Sequence, residues 1–534
     1  MNSVKSKNIT LSKVKHSKCV WTNGARSYND NEKLFSYVKK SDNLFFSEID
    51  VDDDLTTIAY CDYYGSFGIG PNFGSGRSAT IESCLVKGIG RTPLSGVTES
   101  VYNSSGIYPL YEGITEVISY IILNKILPVG CIEHTALIYI GRSPFYSTSS
   151  NENVISDGYQ DLALLVRHPV IRVGHFVRAR NAAPQEGVEY SIYDDLERLK
   201  ENIGGLNQCH SFHDVFTLFS ENCANQFSFS RVNRIGHGAL NHSNIAIDGK
   251  WLDLSNSTAV PDNHNGHAGY GDVPFLDEVG IVEELLKEWV YNFGKFTFQK
   301  ISIDYYLDLY RSRYKEYFIK HCLEYFGLSF SDGCHLDPNV ELFCAKYNVF
   351  IMNPTKVIIG VPREQYDIGK QRKYLRFIFG MALSEGNPIY KLYLDEFNSN
   401  YINKLEYRSF CMLSSIRSLK SVYLRPMLYI GNIYLYARSI VGCHDNLQRI
   451  IDETSEVGDW FLSKNIVFKN VSTELIFDGY NFKLLYNDEE VVFEDAKSLI
   501  RYMEKNSSVD FKFIGKDFKV NVIDVLSELV FIFK

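Results

Sequence analysis

Apolar and polar positions alternate with two different periods along this chain, and each change of period marks an element. Residues 55–60 read as a strand, entered from an acidic run at 48–54 that reads as a solvated turn. Alternation returns in the stretch ending on Lys87. Residues 108–127 then carry apolar side chains at helical spacing with one acid, Glu116, set among them, so the helix is expected to pass from amphipathic to buried. Strand signals follow at 134–140, 162–167 and 170–180, and helical spacing at 195–202 and 210–233. A short run at 245–247, the turn Asp248-Gly249 and a second run closing on Asp253 predict a β-hairpin. Residues 274–326 read as long, aromatic-rich helices. Short strands return from about residue 466 (466–468, 482–486, 491–493 and 511–514) with a helix at 496–504, which predicts a separate α+β appendage.

Length and composition narrow the class. A chain of 534 residues, 45% hydrophobic and 22% charged, is globular and long enough for two or three packed units. The texture divides it at 1–165, 166–430 and 431–534. A formal net charge of −9 argues against nucleic acid as a partner, because that binding needs a positive footprint. The most apolar stretch, 117–129, is broken by Asn124, Lys125 and Pro128, so no membrane span is expected. Eleven cysteines without a CxxC pair predict reduced, buried thiols and a cytoplasmic setting, with Cys84 and Cys131 as structural thiols. Lysines at positions 5, 7, 13, 15 and 18 suggest a solvated amino-terminal tail. Cys209, His210 and His213, and the pair His264 and His267, are incomplete sets for a four-ligand zinc site. Oligomeric state is left open.

The chemistry concentrates in the first half. Five glycines fall between Tyr64 and Arg77, among them Gly74 and Gly76, and such density lets backbone N–H groups approach phosphate oxygens. Lys87 ends the following strand and opens the box Lys87-Gly88-Ile89-Gly90-Arg91-Thr92-Pro93. Glu116 is costly in an apolar helix unless paired, and Lys87 is its natural partner if that helix packs beside the sheet. Arg167 and Arg172 follow, and then Asn244 and Asp253 at the two ends of the hairpin. An amide oxygen and a carboxylate so placed suit a hard cation such as Mg²⁺. In this order the parts match a protein-kinase-like nucleotide site, although the His-Arg-Asp and Asp-Phe-Gly signatures are absent.

The boxes Gly74-Ser75-Gly76-Arg77, Lys87 to Pro93, Arg172-Val173-Gly174-His175-Phe176 and His237-Gly238-Ala239-Leu240-Asn241-His242-Ser243-Asn244 resemble the selenoprotein O family. That family carries Lys-Gly-x-Gly-x-Thr-Pro, Arg-Phe-Gly-x-Phe and His-Gly-Val-Met-Asn-Thr-Asp-Asn in the same order. The resemblance covers about residues 60 to 255. It implies an α+β, kinase-like, two-lobed fold that binds ATP in a flipped orientation and transfers AMP to Ser, Thr or Tyr hydroxyls of a protein or peptide. Carried over, Lys87 holds phosphates and Glu116 orients it; Gly74, Gly76, Arg77, Gly88, Gly90, Arg91, Arg167 and Arg172 line the nucleotide; Asn244 and Asp253 hold Mg²⁺. The family's Asp before the metal-binding Asn, proposed there as a base, is Ser243 here, with His242 and Asp248 as substitutes. Two other outcomes share the same residues: an ATP-dependent phosphotransferase, and a non-catalytic nucleotide-binding module.

Overall fold

The lysine-rich amino terminus is not a tail but an inner strand of the main sheet. The computed structural model describes residues 4–39, 46, 48–66, 72–96, 105–147, 154–180, 182, 192–209, 211–260, 275–326, 328, 338–352, 407–463, 465–469, 473–486, 489–506, 523, 526, 527 and 530. Its first elements are β1 (Ser6–Val14), β2 (Lys18–Thr22), α1 (Tyr28–Phe35), β3 (Tyr37–Val38) and β4 (Val51–Asp62). Ile9, Leu11 and Val14 of β1 face the core, while Lys7 remains exposed. Period-two alternation thus outweighs lysine content, because a strand can bury one face and solvate the other. The acidic run is corrected too: Asp52, Asp53 and Asp54 lie within β4, at a break in its register with β1 where Ser12 faces Thr56 and Lys13 faces Asp52, so the acids are part of the strand yet Asp53 and Asp54 stay exposed.

Next come β5 (Ser78–Ile81), β6 (Cys84–Lys87), α2 (Leu110–Ile126), β7 (His134–Ser147) and β8 (Val154–Arg167). One antiparallel sheet results, in the order β2-β7-β8-β6-β5-β4-β1-β3. The expected strands at 134–140 and 162–167 are the paired ends of two longer ones. Lys87 stands opposite Leu165, and Leu85 opposite Arg167, so the ends of β6 and β8 bring a lysine and an arginine side by side.

Helix α2 buries most of its length, including Glu116. It lies on β7 and β8 with one side and receives carboxy-terminal helices on the other, which explains why its apolar run has no clean polar stripe.

The second half begins with α3 (Ile192–Cys209) and α4 (Phe212–Asn233), then the two-residue strands β9 (Ile235–Gly236) and β10 (Thr258–Ala259). Two long helices follow, α5 (Glu278–Thr297) and α6 (Ile303–Tyr325). Aromatic side chains cement them: Trp289 of α5 stacks on Phe176 and meets Phe216 and Phe219 of α4 edge-on, the offset and edge geometries favoured by ring quadrupoles. Beyond lie α7 (Pro338–Met352), α8 (Tyr407–Leu428), α9 (Ile430–Ile440), α10 (Leu447–Glu453) and α11 (Ser455–Leu462). Helices α9 and α11 pack on α2, and Gln448 of α10 accepts from the Thr22 backbone of β2, 2.8 Å away. A four-stranded antiparallel sheet, β11 (Ile466–Lys469), β12 (Thr473–Phe477), β13 (Phe482–Tyr486) and β14 (Glu489–Phe493), follows in simple sequence with α12 (Ala496–Lys505). The strand expected at 511–514 lies outside the described residues, as do His264 and His267.

The strand expected at 170–180 is instead one turn of 3₁₀ helix, Val173–Phe176. Polar side chains take the groups a ladder would need. Arg198, fully buried on α3, donates to the carbonyls of His175 (2.9 Å) and Val177 (2.6 Å) while Asp195 neutralises it at 2.8 Å, and Asn202 also donates to His175. The hairpin at 245–253 is reduced to a turn and a single bridge, Ile245 to Trp251. Its Gly249 sits at φ 82°, a conformation that glycine reaches without steric cost.

Candidate functional site

Lys87 is the centre of the site. Its ammonium donates to Glu116 Oε2 of α2 and to Asp253 Oδ1, each at 2.9 Å, and lies 4.7 Å from the centre of the Tyr108 ring. Arg167 reaches the same two acids, 3.3 Å from Glu116 Oε1 and 2.8 Å from Asp253 Oδ1. Arg172 approaches Asp253 Oδ2 at 3.8 Å, donates to the Ser243 carbonyl at 2.7 Å, and lies over the Tyr64 ring. Five charged groups from a strand end, a helix, a second strand end, a 3₁₀ turn and a loop therefore converge. Three cations face two carboxylates at the centre, and a third acid, Asp62, lies within the field of Arg172.

Burial makes these contacts strong and mutually dependent. Burial opposes the charge on Glu116, but Lys87, His134 and Arg167 outweigh it and hold the carboxyl below its ordinary range. Burial likewise opposes the charge on Asp253, yet Arg167, Lys87 and Arg172 keep it well below. Tyr108 is pushed well above the usual phenol range by burial and by Glu116, so it remains a donor and its hydroxyl bonds Glu116 Oε2. His134 completes the shell: its ring stacks on Tyr120, Nδ1 meets the Ile132 carbonyl at 2.9 Å, and Nε2 lies 3.4 Å from Glu116 Oε1.

Asp253 itself adopts a left-handed backbone, φ 58° and ψ 59°. For a non-glycine residue this costs on the order of 1 kcal/mol, least for Asp and Asn, and such strain is typical of functional positions. The conformation aims the carboxylate back at β6 and β8. His237 fixes the approach: Nδ1 accepts from the Ala239 N–H, and Nε2 spans the carbonyls of Asn244 (3.2 Å) and Leu252 (3.0 Å). Since carbonyls only accept, the ring is neutral with its proton on Nε2, in keeping with a pKa pushed down to about 4 by burial. Glu278 of α5 receives the N–H groups of His237 and Gly238, at 3.1 and 2.8 Å.

The other expected residues are placed unevenly. Asn244 Nδ2 donates to the Ala239 carbonyl at 2.8 Å, and Oδ1 accepts from the Ser243 hydroxyl at 3.2 Å. That hydroxyl also bonds Asn241 Oδ1 at 2.6 Å. Asp253 Oδ2 has only the 3.8 Å approach of Arg172, and Asn244 Oδ1 gives one lone pair to the Ser243 hydroxyl, so each oxygen keeps a lone pair of the kind a hard cation takes. His242 turns toward α5: Nε2 lies 3.3 Å from Glu288 Oε2, and burial pushes its pKa down. Asp248 sits at the tip of the hairpin turn, where its carbonyl accepts from Asn222.

The glycine boxes serve each other. Gly74 bridges Tyr63, Thr92 donates its N–H to the Gly76 carbonyl at 3.0 Å, and Arg91 reaches the Gly96 carbonyl at 3.4 Å. Arg77 donates to the Ile107 carbonyl at 3.1 Å and lies over Tyr108. The N–H groups of Gly88 and Gly90 are given to Arg77 and Gly106 carbonyls. These two glycines therefore brace the turn rather than offer donors to phosphate, a correction to the sequence expectation. Gly88 still has to be glycine: at φ 98°, a Cβ would lie 2.6 Å from the Ala163 carbonyl oxygen. Gly65 donates to the Gly174 carbonyl at 2.8 Å, and a Cβ there would lie 2.2 Å from Arg178 backbone. The segment that follows β4 is thus seated directly on the 3₁₀ turn.

Sequence reasoning missed Tyr64, Tyr108, His134, His175 and Asp62. Only Tyr108 had a local signal, eight residues before Glu116 on the same helical approach. Asp62, with a side chain 16% exposed, lies 4.0 Å from His175 Nε2. Burial raises its pKa from 3.8 to about 6, with Arg172 pulling the other way. His175 is pushed down to about 3 by burial and by Arg172 and Arg198, so it stays neutral and gives Asp62 no charged partner. An acid whose folded pKa is raised destabilises the fold above that value, and the cost disappears as pH falls from 6 toward 3.8. Asp62→Asn is therefore expected to raise the unfolding free energy at pH 8 by up to about 3 kcal/mol and to change it little at pH 4. Denaturant titrations at both pH values check this.

Among the described residues eight cysteines are buried thiols outside any disulfide and Cys443 is exposed. No group of three or more His, Cys, Asp or Glu there is placed to hold a metal, and no helix there is long and apolar enough to cross a membrane. Neither a family model nor a curated protein matches the chain.

Proposed function

We propose that this protein is a Mg²⁺- and ATP-dependent adenylyltransferase acting on a protein or peptide hydroxyl, built on a kinase-like pair of lobes. The observation that carries the reading is the ammonium of Lys87, shared at 2.9 Å between Glu116 and Asp253, which lie 137 positions apart in the chain. A glycine-rich turn between two strands (β4 and β5), a lysine on the next (β6), a glutamate on the helix after it (α2) and an acid after a loop and turn form the order of parts in a protein kinase. The clustering of Lys87, Arg167 and Arg172 on one pair of carboxylates suits a polyphosphate. The eight buried thiols among the described residues fit a reducing, cytoplasmic setting for such an enzyme.

The chain's own residues then have defined tasks. Lys87, Arg167 and Arg172 draw in and align the triphosphate, exchanging part of their contact with Asp253 for phosphate oxygens. Glu116, with Tyr108 and His134 behind it, holds Lys87 in place. Asp253 and Asn244 are the oxygen donors for Mg²⁺, which when bound neutralises the leaving pyrophosphate. The acceptor hydroxyl attacks the α-phosphorus in line; its oxygen bonds phosphorus as the bond to the bridging oxygen breaks, and its proton passes to solvent or a nearby base. Positioning and charge neutralisation supply most of the catalysis in phosphoryl-type transfer.

One observation favours a second reading. The Ser243 hydroxyl is held by two amide oxygens where the resembling family has a carboxylate, as in a non-catalytic nucleotide-binding module. Incubation with ATP labelled at the α- or the γ-phosphorus, with a degenerate mixture of Ser, Thr and Tyr peptides, separates these outcomes. Label from the α-position with release of pyrophosphate supports adenylyl transfer, and label from the γ-position supports phosphotransfer. Label from neither, with Mg²⁺-dependent stabilisation by ATP, supports the module. At ATP a hundredfold above its Kd, ligand linkage raises stability by about 2.7 kcal/mol. Lys87→Ala is expected to remove that gain, and an unchanged gain places the nucleotide elsewhere.

A further inference from the structure

A concave site lies beside the loop that carries Ser243 and Asn244, on the helix wall that His242 touches. A cavity of about 780 Å³ opens to solvent between the middle of α5 and the start of α6. That volume is in the range of ligand pockets, but the mouth is wide, which suits an extended chain better than an enclosed small molecule. Ile301, Ile303 and Leu307 give it an apolar wall. Tyr291, 57% exposed, stands over it, and Phe298 and Tyr305 are exposed in the neighbouring turns. Exposed aromatic rings beside a concavity are typical of recognition surfaces.

Charge selects the occupant. The two cations of the lining are already matched, Arg180 to Glu288 at 2.8 Å and Lys287 to Glu284 at 2.6 Å. Asp304, exposed in the first turn of α6, is the acid in excess. The cavity therefore favours a basic side chain. It also communicates with the loop that carries Ser243 and Asn244. Glu288, one of its walls, lies 3.3 Å from His242, whose carbonyl accepts from Gly174 at 2.7 Å. The next carbonyl, that of Ser243, is held by Arg172, which faces Asp253.

We propose that this cavity seats the acceptor, a polypeptide segment carrying a Ser, Thr or Tyr hydroxyl with a basic residue beside it that pairs with Asp304. The identity of the hydroxyl as acceptor rests on the adenylyl-transfer reading, whereas the peptide binding does not. The test is fluorescence polarisation on the full chain without nucleotide. The probes are two fluorescein-labelled degenerate peptide sets, with Ser, Thr or Tyr flanked by Arg in one and by Glu in the other. The Arg set is expected to bind saturably and at least tenfold more tightly than the Glu set. Asp304→Lys should reverse that preference, and Tyr291→Ala should weaken both sets about tenfold. Both substitutions are at exposed positions, and ATP-induced stabilisation in each variant should match the parent, which also verifies folding. The proposal is overturned if the parent binds neither set, or if both variants bind as the parent does. A parent that binds peptide but shows no stabilisation by ATP instead overturns the nucleotide reading and leaves the cavity assignment standing.

Discussion

Replacing Glu116 with Ala is expected to lower the unfolding free energy by about 3–5 kcal/mol, the usual cost of removing one partner from a buried ion cluster. The carboxylate is fully buried and receives Lys87, Arg167 and the Tyr108 hydroxyl, with His134 at 3.4 Å. Truncation leaves a lysine and an arginine inside the protein with Asp253 as their shared counter-charge. Glu116→Gln should cost less, since its amide keeps one acceptor. The double replacement Lys87→Met with Glu116→Leu should regain part of the loss, because apolar side chains of similar volume can substitute for a buried pair. Nucleotide-induced stabilisation should not return with it. Urea titration measures all four chains, and a Glu116→Ala midpoint equal to the parent's would refute the role assigned to this shell.

Asp253→Asn is expected to separate metal from nucleotide. Asparagine tolerates the left-handed backbone at φ 58° nearly as well as aspartate, so the loop should keep its path. The substitution removes a charge that three cations hold well ionised and shifts the balance of the cluster toward Lys87, Arg167 and Arg172. Stabilisation by ATP alone should persist or grow, while the additional gain from Mg²⁺ disappears. Transfer, measured with α-labelled ATP, should fall by roughly 10²–10³-fold, the scale of losing one preorganised electrostatic group. Mg²⁺-dependent stabilisation equal to the parent's would assign the metal to other residues.

How far the site could be read in advance follows from what kind of interaction fixed each part. The pairing of Lys87 with Glu116 was legible because an acid inside an apolar helix demands a partner, and a nearby strand lysine was the candidate. Helices α2, α4, α5 and α6 were legible because each is a long run, unbroken by proline and rich in apolar or aromatic side chains. The amino-terminal strand was misread because charge composition was given more weight than the alternation of Ile9, Leu11 and Val14. The segment at 170–180 was misread because nothing local announces that Arg198, some twenty residues on, will take its carbonyls. The same holds for Gly88 and Gly90, whose N–H groups are used up by carbonyls of Arg77 and Gly106.

Alone, the order of residues determined which segments form helix or strand across most of the first half, and which ionisable groups needed company, since both depend on periodicity and on the cost of burying charge. Only the tertiary structure decided the sheet order, the left-handed turn at Asp253, and the gathering of Tyr108, His134 and Asp62 around groups distant in sequence. Those outcomes depend on which surfaces meet and on how much water they exclude, and these are properties of the packed chain as a whole.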